Sequence, residues 1–412
     1  MTNPEEFRRH HARIRRDQVF EDAYQQFNSL GEGLKDPIQI TFVDAFGQEE
    51  AGIDGGGVTK EFLTSVVQEA FAPKDDIDMF DETDQHLLYP NPAFMDERKE
   101  ATVQHGYKPG TEAYRAEMRW FLSRFEFLGR IIGKCLYEGI LVDVSFAGFF
   151  LLKWALTGGP GHAPRESGYR ANLNDLREVD EALYSGLIKL KNYPDDVSDL
   201  GLDFTISDTI KTGNKKNATK TITTELITGG ASTPVTNNNR LAYISYVALH
   251  RLQKRPFAIT SAFLRGLSTL IQPTWLNMFN QSELQTLVSG TRLPISVADL
   301  RTHTSYGGVY VIGDDGLEHP TVQMFWSVLE EMEDEQRRAV LKFVTSSPRA
   351  PLLGFGSLNP LFSIRDSGSD QERLPSTSTC VNLLKLPMYR DRALLKSKLL
   401  AAVNSGAGFD LS

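Results

Sequence analysis

Residues 374–387 read LPSTSTCVNLLKLP, in which small hydroxyl side chains lead through Cys380 into an apolar run. The polar half predicts a loop, and the apolar half predicts a strand. A thiol at such a junction is partly exposed, which favours reactivity because the thiolate can be reached. Thr379 and the three hydroxyl residues before it also supply hydroxyls and backbone amides that can stabilise a thiolate or an oxyanion. The stretch therefore indicates a reactive cysteine.

The composition of the chain excludes several classes of protein. Its 412 residues, 41% of them hydrophobic, predict two or three folded domains. The net charge of -9 argues against a nucleic-acid partner, since phosphate contacts need a basic face. No apolar run is long enough to span a bilayer, and the first residues lack the apolar core of a secretion signal. We therefore expect no membrane partner and a location in the cytoplasm or the nucleus.

Neither the cysteines nor the glycines form a motif for a metal or a nucleotide. Two cysteines cannot build a disulfide framework or a Cys-x-x-Cys site, and a reducing compartment suits free thiols. Three glycines in AGIDGGGVTKEF, residues 51–62, precede a predicted helix, but their spacing meets neither glycine-rich phosphate motif. Positive φ or close backbone packing explains them better. We expect no metal and no cofactor.

Apolar residues recur at helical spacing in two early segments. Those around the basic run RRHHARIRR, residues 8–16, predict a long helix that includes Phe7 and Phe27. Its arginines are then a solvated face, although a basic arm is an alternative. Residues 111–140 predict another long helix, in which Cys135 is a buried structural thiol.

The remaining pattern divides the chain further. Residues 170–248 predict a small α+β unit with a helix followed by two strands. The turn-rich GTRLPIS at residues 290–296 predicts a hinge. Helices and strands then alternate over residues 297–412, which predicts a small α/β domain.

Composition alone leaves the chemistry of Cys380 open. A papain-type hydrolase needs a histidine, ordinarily after the nucleophile, and no histidine follows Cys380. His303 and His319 lie in the same predicted domain, and folding can bring either one close. A serine triad is not supported, because the chain has no GxSxG motif. The sequence therefore argues against a cysteine hydrolase but does not exclude one.

Several ordered segments resemble the HECT-type ubiquitin ligases over essentially the whole chain. LPSTSTCVNLLKLP, FVTSSPRAPLLGF and the ending GFDLS resemble the cysteine loop and its C-terminal neighbours in that family. AGIDGGGVTKEF, FLGRIIGKCLYEGILVD and PVTNNNRLAY resemble landmarks of its N-terminal lobe. Most members carry histidine two residues before the cysteine and phenylalanine after it, where this chain has Ser378 and Val381. The serine and the tail resemble the proteasome-associated, chain-elongating branch.

The resemblance implies an α+β fold in the form of a bilobal HECT domain. A mainly helical N-lobe would span residues 1–292, with a small α+β subdomain inserted at residues 170–248 that binds the ubiquitin-conjugating enzyme. A hinge at residues 290–296 would lead to a small α/β C-lobe, residues 297–412. Cys380 would accept ubiquitin as a thioester and pass it to lysines of protein substrates or of ubiquitin, which builds polyubiquitin chains. The proteasome is a further partner that the branch implies.

The resemblance also implies roles for other residues. Phe409 would pack against the N-lobe to orient the loaded C-lobe, and Asp410 beside it would help to deprotonate the incoming amine. An ordinary apolar anchor is the alternative role of Phe409. The candidates for the groove that binds the conjugating enzyme are Tyr184, Leu187, Leu202, Phe204 and Tyr243. Each of these five has an alternative place in the core of the subdomain.

Two other functions stay open at this point. The first is a cysteine hydrolase that acts on ubiquitin-like conjugates, and the second is a noncatalytic adaptor that only binds a conjugating enzyme.

Overall fold

A computed structural model describes most of the chain. The described residues are 10–44, 47–49, 57–72, 78–155, 169–212, 218–291, 293–314, 316–351 and 353–404. Arg292 of the predicted hinge, Phe409 and Asp410 lie outside them, as do the first two of the three consecutive glycines.

The described residues form short strands and many helices. The strands are β1 (His10–Arg15), β2 (Ile38–Val43), β3 (Phe80–Glu82), β4 (Leu88–Pro90), β5 (Thr205–Lys211), β6 (Thr219–Glu225), β7 (Ser305–Gly307), β8 (Ser363–Asp366), β9 (Ser376–Ser378) and β10 (Leu383–Leu386). The helices are α1 (Val19–Phe27), α2 (Gly57–Phe71), α3 (Phe94–Gln104), α4 (Glu112–Glu138), α5 (Gly148–Ala155), α6 (Leu173–Val179), α7 (Glu181–Lys191), α8 (Arg240–Leu249), α9 (Phe257–Leu270), α10 (Pro273–Leu276), α11 (Gln281–Ser289), α12 (Val297–Thr302), α13 (Pro320–Glu331), α14 (Asp334–Thr345) and α15 (Arg392–Asn404). Within the described residues, none of these helices is both long and apolar enough to cross a membrane.

The chain divides into two compact units. The first comprises Met1–Ala70, Lys134–Val144 and Glu283–Ser412, and the second comprises Phe71–Gly133 and Ser145–Ser282. Residues of the predicted N-lobe therefore occur in both units, and the predicted lobe boundaries stay a prediction.

The first unit contains a mixed four-stranded sheet in its C-terminal part. Its strand order is β7-β8-β10-β9, with β7, β8 and β10 parallel and β9 antiparallel to β10. Helices α13, α14 and α15 pack together, and α14 also contacts β9 and β10. Their shared core includes the fully buried side chains Trp326, Tyr310, Leu384, Leu386 and Leu399. Tyr310 lies in the 3-10 turn Gly308–Tyr310, and the other four lie in α13, β10 and α15 at positions that follow the apolar patterns of those elements.

The predicted helix over the N-terminal basic run is wrong. His10–Arg15 is a strand, and a separate helix begins only at Val19. The strand pairs in parallel with β2, so that Ala12 and Ile14 are buried while the arginines between and after them point outward. Buried and exposed residues therefore alternate as in a strand and do not follow the helical repeat. The reason is that β2 supplies a hydrogen-bonding partner, which the local residue preferences do not indicate. Arg15 pairs with Asp22 at 2.6 Å, which supports a structural role for the basic run.

The second unit has an aromatic core. The ring of Phe150 meets those of Phe146 at 5.6 Å and Trp154 at 5.8 Å edge to face, and that of Phe263 at 5.2 Å in a tilted arrangement. Helix α4 confirms the long helix predicted over residues 111–140, and Phe125 is among its buried residues. The spacing therefore predicts most of the buried face, but Trp120, which belongs to the same apolar pattern, is 41% exposed.

The segment predicted as a small α+β unit contains the predicted elements. Helices α6 and α7 precede an antiparallel hairpin of β5 and β6, and α8 follows. Asp180 begins α7 as its N-cap, because its side chain accepts a hydrogen bond from the Leu183 backbone N–H. Strand β5 alternates buried and exposed residues, as a strand with one covered face does.

Asp208 of β5 is the centre of a buried charge cluster. Its carboxylate lies 2.9 Å from His250 Nε2, 2.5 Å from Arg251 and 3.1 Å from Arg255. Burial alone would raise the pKa of Asp208, but the hydrogen bond with His250 and the two arginine charges bring it below its ordinary value. The cluster joins β5 to the π-helical turn His250–Lys254.

We expect Asp208→Asn to lower the free energy of unfolding at neutral pH by about 3 kcal/mol, because the half-buried Arg251 and Arg255 lose the buried charge with which both pair. Since the folded-state pKa of Asp208 is depressed, this stabilisation is present above the ordinary value of 3.8 and is lost as the pH falls through the folded value. Urea unfolding at neutral and acid pH measures both effects. Asp199→Asn, at an exposed position, is the matched control. Equal stability of the two variants would contradict the prediction.

Candidate active site around Cys380

Cys380 lies on a tight turn between two strands. The 3-10 turn Thr379–Val381 joins β9 to β10 and ends at Asn382, which has a left-handed backbone with φ of 51°. Asparagine tolerates this conformation better than most residues. Its backbone N–H donates to the Thr379 carbonyl at 3.3 Å, and its carbonyl accepts from the Ser363 N–H at 2.9 Å. These two backbone hydrogen bonds of Asn382 fix the C-terminal end of the turn.

The Cys380 thiol is half-buried, and its pKa is raised. Burial is the largest cause, and the Glu61 carboxylate adds to it. The backbone N–H groups of Val381 and Cys380 and the Lys60 ammonium act in the opposite direction. A raised pKa lowers the fraction of the thiol that is ionised, which makes Cys380 a weaker nucleophile in this arrangement.

Lys60 of α2 reaches the turn from the other end of the chain. Its side chain is buried, with 5% exposure, and its Nζ donates to the carbonyls of Thr345 at 2.8 Å and Thr379 at 3.3 Å. A third hydrogen bond goes to Asn382 Oδ1. Burial lowers the pKa of Lys60 to about 8, while Cys380 acts to raise it. All of these residues belong to the first unit.

The hydroxyl residues before the cysteine lie at different depths. The loop predicted before the cysteine is wrong at Ser376–Ser378, which form strand β9 because they pair with β10. Ser376 and Thr377 are buried there, whereas Ser378 and Thr379 are half-buried. Thr379 contributes its backbone carbonyl to the Lys60 contact. The predicted role of Thr379 in stabilising a thiolate stays a prediction.

Both histidines of the C-terminal segment are engaged elsewhere. His303 lies 3.0 Å from Asp299, one turn before it on the same chain segment. His319 caps α13 by accepting from the Thr321 N–H at 3.2 Å, and its ring packs 5.0 Å from that of Tyr310. These contacts favour no cysteine–histidine pair.

The five candidates for the conjugating-enzyme groove differ in exposure. Leu187 and Phe204 are buried, whereas Tyr184, Leu202 and Tyr243 are partly exposed. The rings of Phe204 and Tyr243 meet at 5.5 Å, so that the structure brings these two together. The sequence interpretation left out two exposed neighbours on α8, Leu241 and Tyr246, although they lie in the quoted PVTNNNRLAY segment or just after it.

Phe409 and Asp410 lie outside the described residues, and their roles stay predictions. Sequence reasoning missed Lys60 and Asn382. Lys60 stands in AGIDGGGVTKEF, where it was one polar residue of a predicted helix, and 322 positions separate it from Asn382. No local pattern links two positions so far apart.

A comparison with protein families gives a direct result. A family model described as HECT-domain (ubiquitin-transferase) matches residues 64–412. The chain belongs to this family. The predicted α+β class and the family resemblance are thereby confirmed.

Individual relatives extend the match to nearly the whole chain. It is 44% identical to a probable E3 ubiquitin protein ligase of Schizosaccharomyces pombe, over 98% of this chain and 35% of the relative. It is 43% identical to the E3 ubiquitin-protein ligase HUL5 of Saccharomyces cerevisiae, over 98% of this chain and 40% of the relative. It is 35% identical to the human ubiquitin-protein ligase E3B, over 98% of this chain and 36% of the relative. The chain therefore spans well under half the length of these relatives.

Proposed function

We propose that this chain is the catalytic domain of a ubiquitin ligase, in which Cys380 accepts ubiquitin from a conjugating enzyme and passes it to lysine amines. The observation that carries the proposal is a half-buried thiol on a turn between two strands, in a chain that matches the HECT family over residues 64–412. The second cysteine, Cys135, is buried in α4 and does not compete for the role.

The reaction has two group transfers. In the first, the Cys380 thiolate attacks the thioester carbonyl of the conjugating enzyme, whose own sulfur leaves as a thiolate. The exchange is nearly balanced in bond energy, so that orientation and thiolate fraction govern its rate. In the second, a lysine amine attacks the new thioester, Cys380 leaves as a thiolate, and the nitrogen loses a proton to water. An isopeptide bond results.

One sulfur must therefore meet two different partners. Reacting atoms have to approach within about 3 to 3.5 Å, and no single placement of Cys380 satisfies both geometries. The predicted hinge at residues 290–296 allows the C-lobe to move between two docked positions. The half-buried position of Cys380 supports such movement, because loading requires a more exposed thiol than this arrangement offers.

One assay separates this function from its two rivals. Activating enzyme, conjugating enzyme, ATP and ubiquitin are supplied to the purified chain. A ligase forms a ubiquitin adduct that reducing agent removes. It then produces polyubiquitin chains, either free or attached to a protein. A hydrolase shortens conjugates instead, and an adaptor binds the conjugating enzyme without either product. Absence of the reducible adduct would overturn the proposal.

The conjugating enzyme is proposed to bind the small subdomain at residues 170–248. Tyr243 is the candidate best suited to contact it, because its ring is partly exposed and rests on buried Phe204. Aromatic anchors of this kind dominate many interfaces.

We expect Tyr243→Ala to weaken binding of the conjugating enzyme about tenfold while leaving the folded state intact. Titration of the loading rate against conjugating-enzyme concentration measures the shift. Tyr107→Ala, which removes an exposed tyrosine outside the subdomain, is the control. The same concentration dependence in both variants would speak against this surface.

The finer parts of the function rest on the resemblance. Ser378 and the GFDLS tail support membership of the chain-elongating branch, with polyubiquitin as product and the proteasome as a further partner. A location in the cytoplasm or nucleus belongs to the same proposal, since two free thiols suit a reducing compartment.

A further inference from the structure

Lys60 is a buried lysine whose hydrogen bonds go to uncharged groups. An ammonium group has three N–H donors, and here all three meet oxygen acceptors: two backbone carbonyls and the Asn382 amide. None of these acceptors carries a charge. Burying an ammonium without a counter-charge lowers the stability of the fold. A role in function would explain why the arrangement occurs.

Each acceptor belongs to the surroundings of Cys380. Thr345 is the last residue of α14, where a cation is favoured by the helix dipole and satisfies a carbonyl that the helix leaves unpaired. The Thr379 carbonyl belongs to the peptide bond that leads directly into Cys380. Asn382 ends the turn on the other side. Lys60 therefore forms hydrogen bonds to residues on both sides of Cys380 and to the end of α14, the helix that packs against the cysteine turn.

We propose that Lys60 is a positioning residue for the second transfer, which holds the ubiquitin-loaded Cys380 turn in one orientation while a lysine amine attacks. This inference rests on the proposed function. It assigns the arrangement seen here to the discharge of ubiquitin and not to loading.

The electrostatics of the turn favour discharge over loading. Loading needs a thiolate at the start, and burial together with Glu61 raises the pKa of Cys380 here. Discharge starts from an uncharged thioester. The carbon–sulfur bond then breaks with its electron pair on sulfur, and the Lys60 ammonium, which bonds the adjacent Thr379 carbonyl, stabilises the new negative charge. The hydrogen bonds of Lys60 to the turn also limit the orientations that the thioester can adopt.

A pulse-chase experiment on the whole chain tests the proposal. The chain is loaded with ubiquitin, the activating enzyme is stopped, and free lysine is added as the acceptor. Loading and discharge rates are measured for wild type, Lys60→Met and Lys60→Arg. We expect Lys60→Met to load within about twofold of wild type and to discharge at least about tenfold more slowly. Lys60→Arg keeps the charge and the donors, and should recover most of the discharge rate.

Lys134→Met is the matched control. Lys134 is also buried, and its Nζ donates to the backbone carbonyls of Lys35 and Asp36 and pairs with Glu138 at 2.5 Å. None of these partners belongs to the Cys380 turn. Loss of a buried lysine as such would affect both variants alike. Discharge that is slowed equally by Lys134→Met and Lys60→Met would overturn the proposal.

A second variant covers the case in which Lys60→Met does not fold. Asn382→Gly retains the left-handed backbone and removes one acceptor of Lys60. Slower discharge with normal loading is expected again. Unchanged discharge in every folded variant overturns the inference while the proposed function stands. A wild-type chain that forms no adduct overturns the proposed function itself.

A pH profile separates positioning by a charge from a merely structural role. The charged groups around the site are Lys60 and Glu61 with its partner Arg16, and the Cys380 sulfur carries no charge while ubiquitin is attached. The pKa of Lys60 is about 8, whereas a guanidinium stays charged. Ionisation of the acceptor amine affects wild type and Lys60→Arg equally, so it cancels in the ratio of their discharge rates. This ratio should decrease as the pH rises from about 7 to about 9, because only wild type loses its charge. A flat ratio overturns the role of the charge.

Discussion

Cys380→Ala is expected to abolish the reducible ubiquitin adduct, and Cys380→Ser to replace it with an adduct that survives reducing agent. Alanine has no nucleophile, whereas serine forms an oxygen ester, which thiols do not cleave readily. The serine variant should load far more slowly, since a hydroxyl is a much weaker nucleophile than a thiol. Gel analysis with and without reducing agent, followed by mass spectrometry of the modified residue, measures the outcome.

The other cysteine supplies the control for this experiment. Cys135 is 2% exposed, and burial raises the pKa of its thiol to about 12. It is therefore protonated and inaccessible at neutral pH. Cys135→Ala should leave the adduct in place and lower stability by about 1 kcal/mol. An adduct that persists in Cys380→Ala, or disappears in Cys135→Ala, would contradict the assignment of the acceptor.

Gly266→Ala is expected to lower the free energy of unfolding by about 3 kcal/mol. A Cβ atom at Gly266 of α9 would lie 1.8 Å from the Glu126 carbonyl oxygen, and one at Gly129 of α4 would lie 2.0 Å from the Phe263 carbonyl oxygen. The two helices thus cross with their backbones in contact at the paired glycines. Even one methyl group must push them apart and disturb the aromatic core of the second unit. Urea unfolding followed by circular dichroism measures the loss.

Gly186→Ala is the matched control on another helix. Gly186 lies within α7, and a Cβ atom there meets nothing within 4 Å. Alanine is the better helix former, so that this variant should gain about 0.5 to 1 kcal/mol. If Gly266→Ala proved as stable as Gly186→Ala, the close crossing of α4 and α9 would be disproved.

Much of this protein can be predicted from local patterns. The apolar spacing over residues 111–140 predicts α4, and the alternation in VNLLKL predicts β10. The change from hydroxyl residues to apolar ones predicts a strand after Cys380, and the cysteine lies in the turn that leads into β10. These inferences succeed because a helix or strand with one covered face repeats every few residues. The ordered motifs also predict the family, which the comparison confirms.

Only the tertiary structure decided the features that depend on distant partners. His10–Arg15 is a strand because β2 pairs with it, and the same residues carry a helical pattern when taken alone. Leu187 and Phe204 are buried while Leu241 is exposed, which depends on what packs over each face. Lys60 meets the Cys380 turn across more than 300 positions. Such contacts are set by packing between elements, and the local repeat of apolar residues carries no record of which element will be the neighbour.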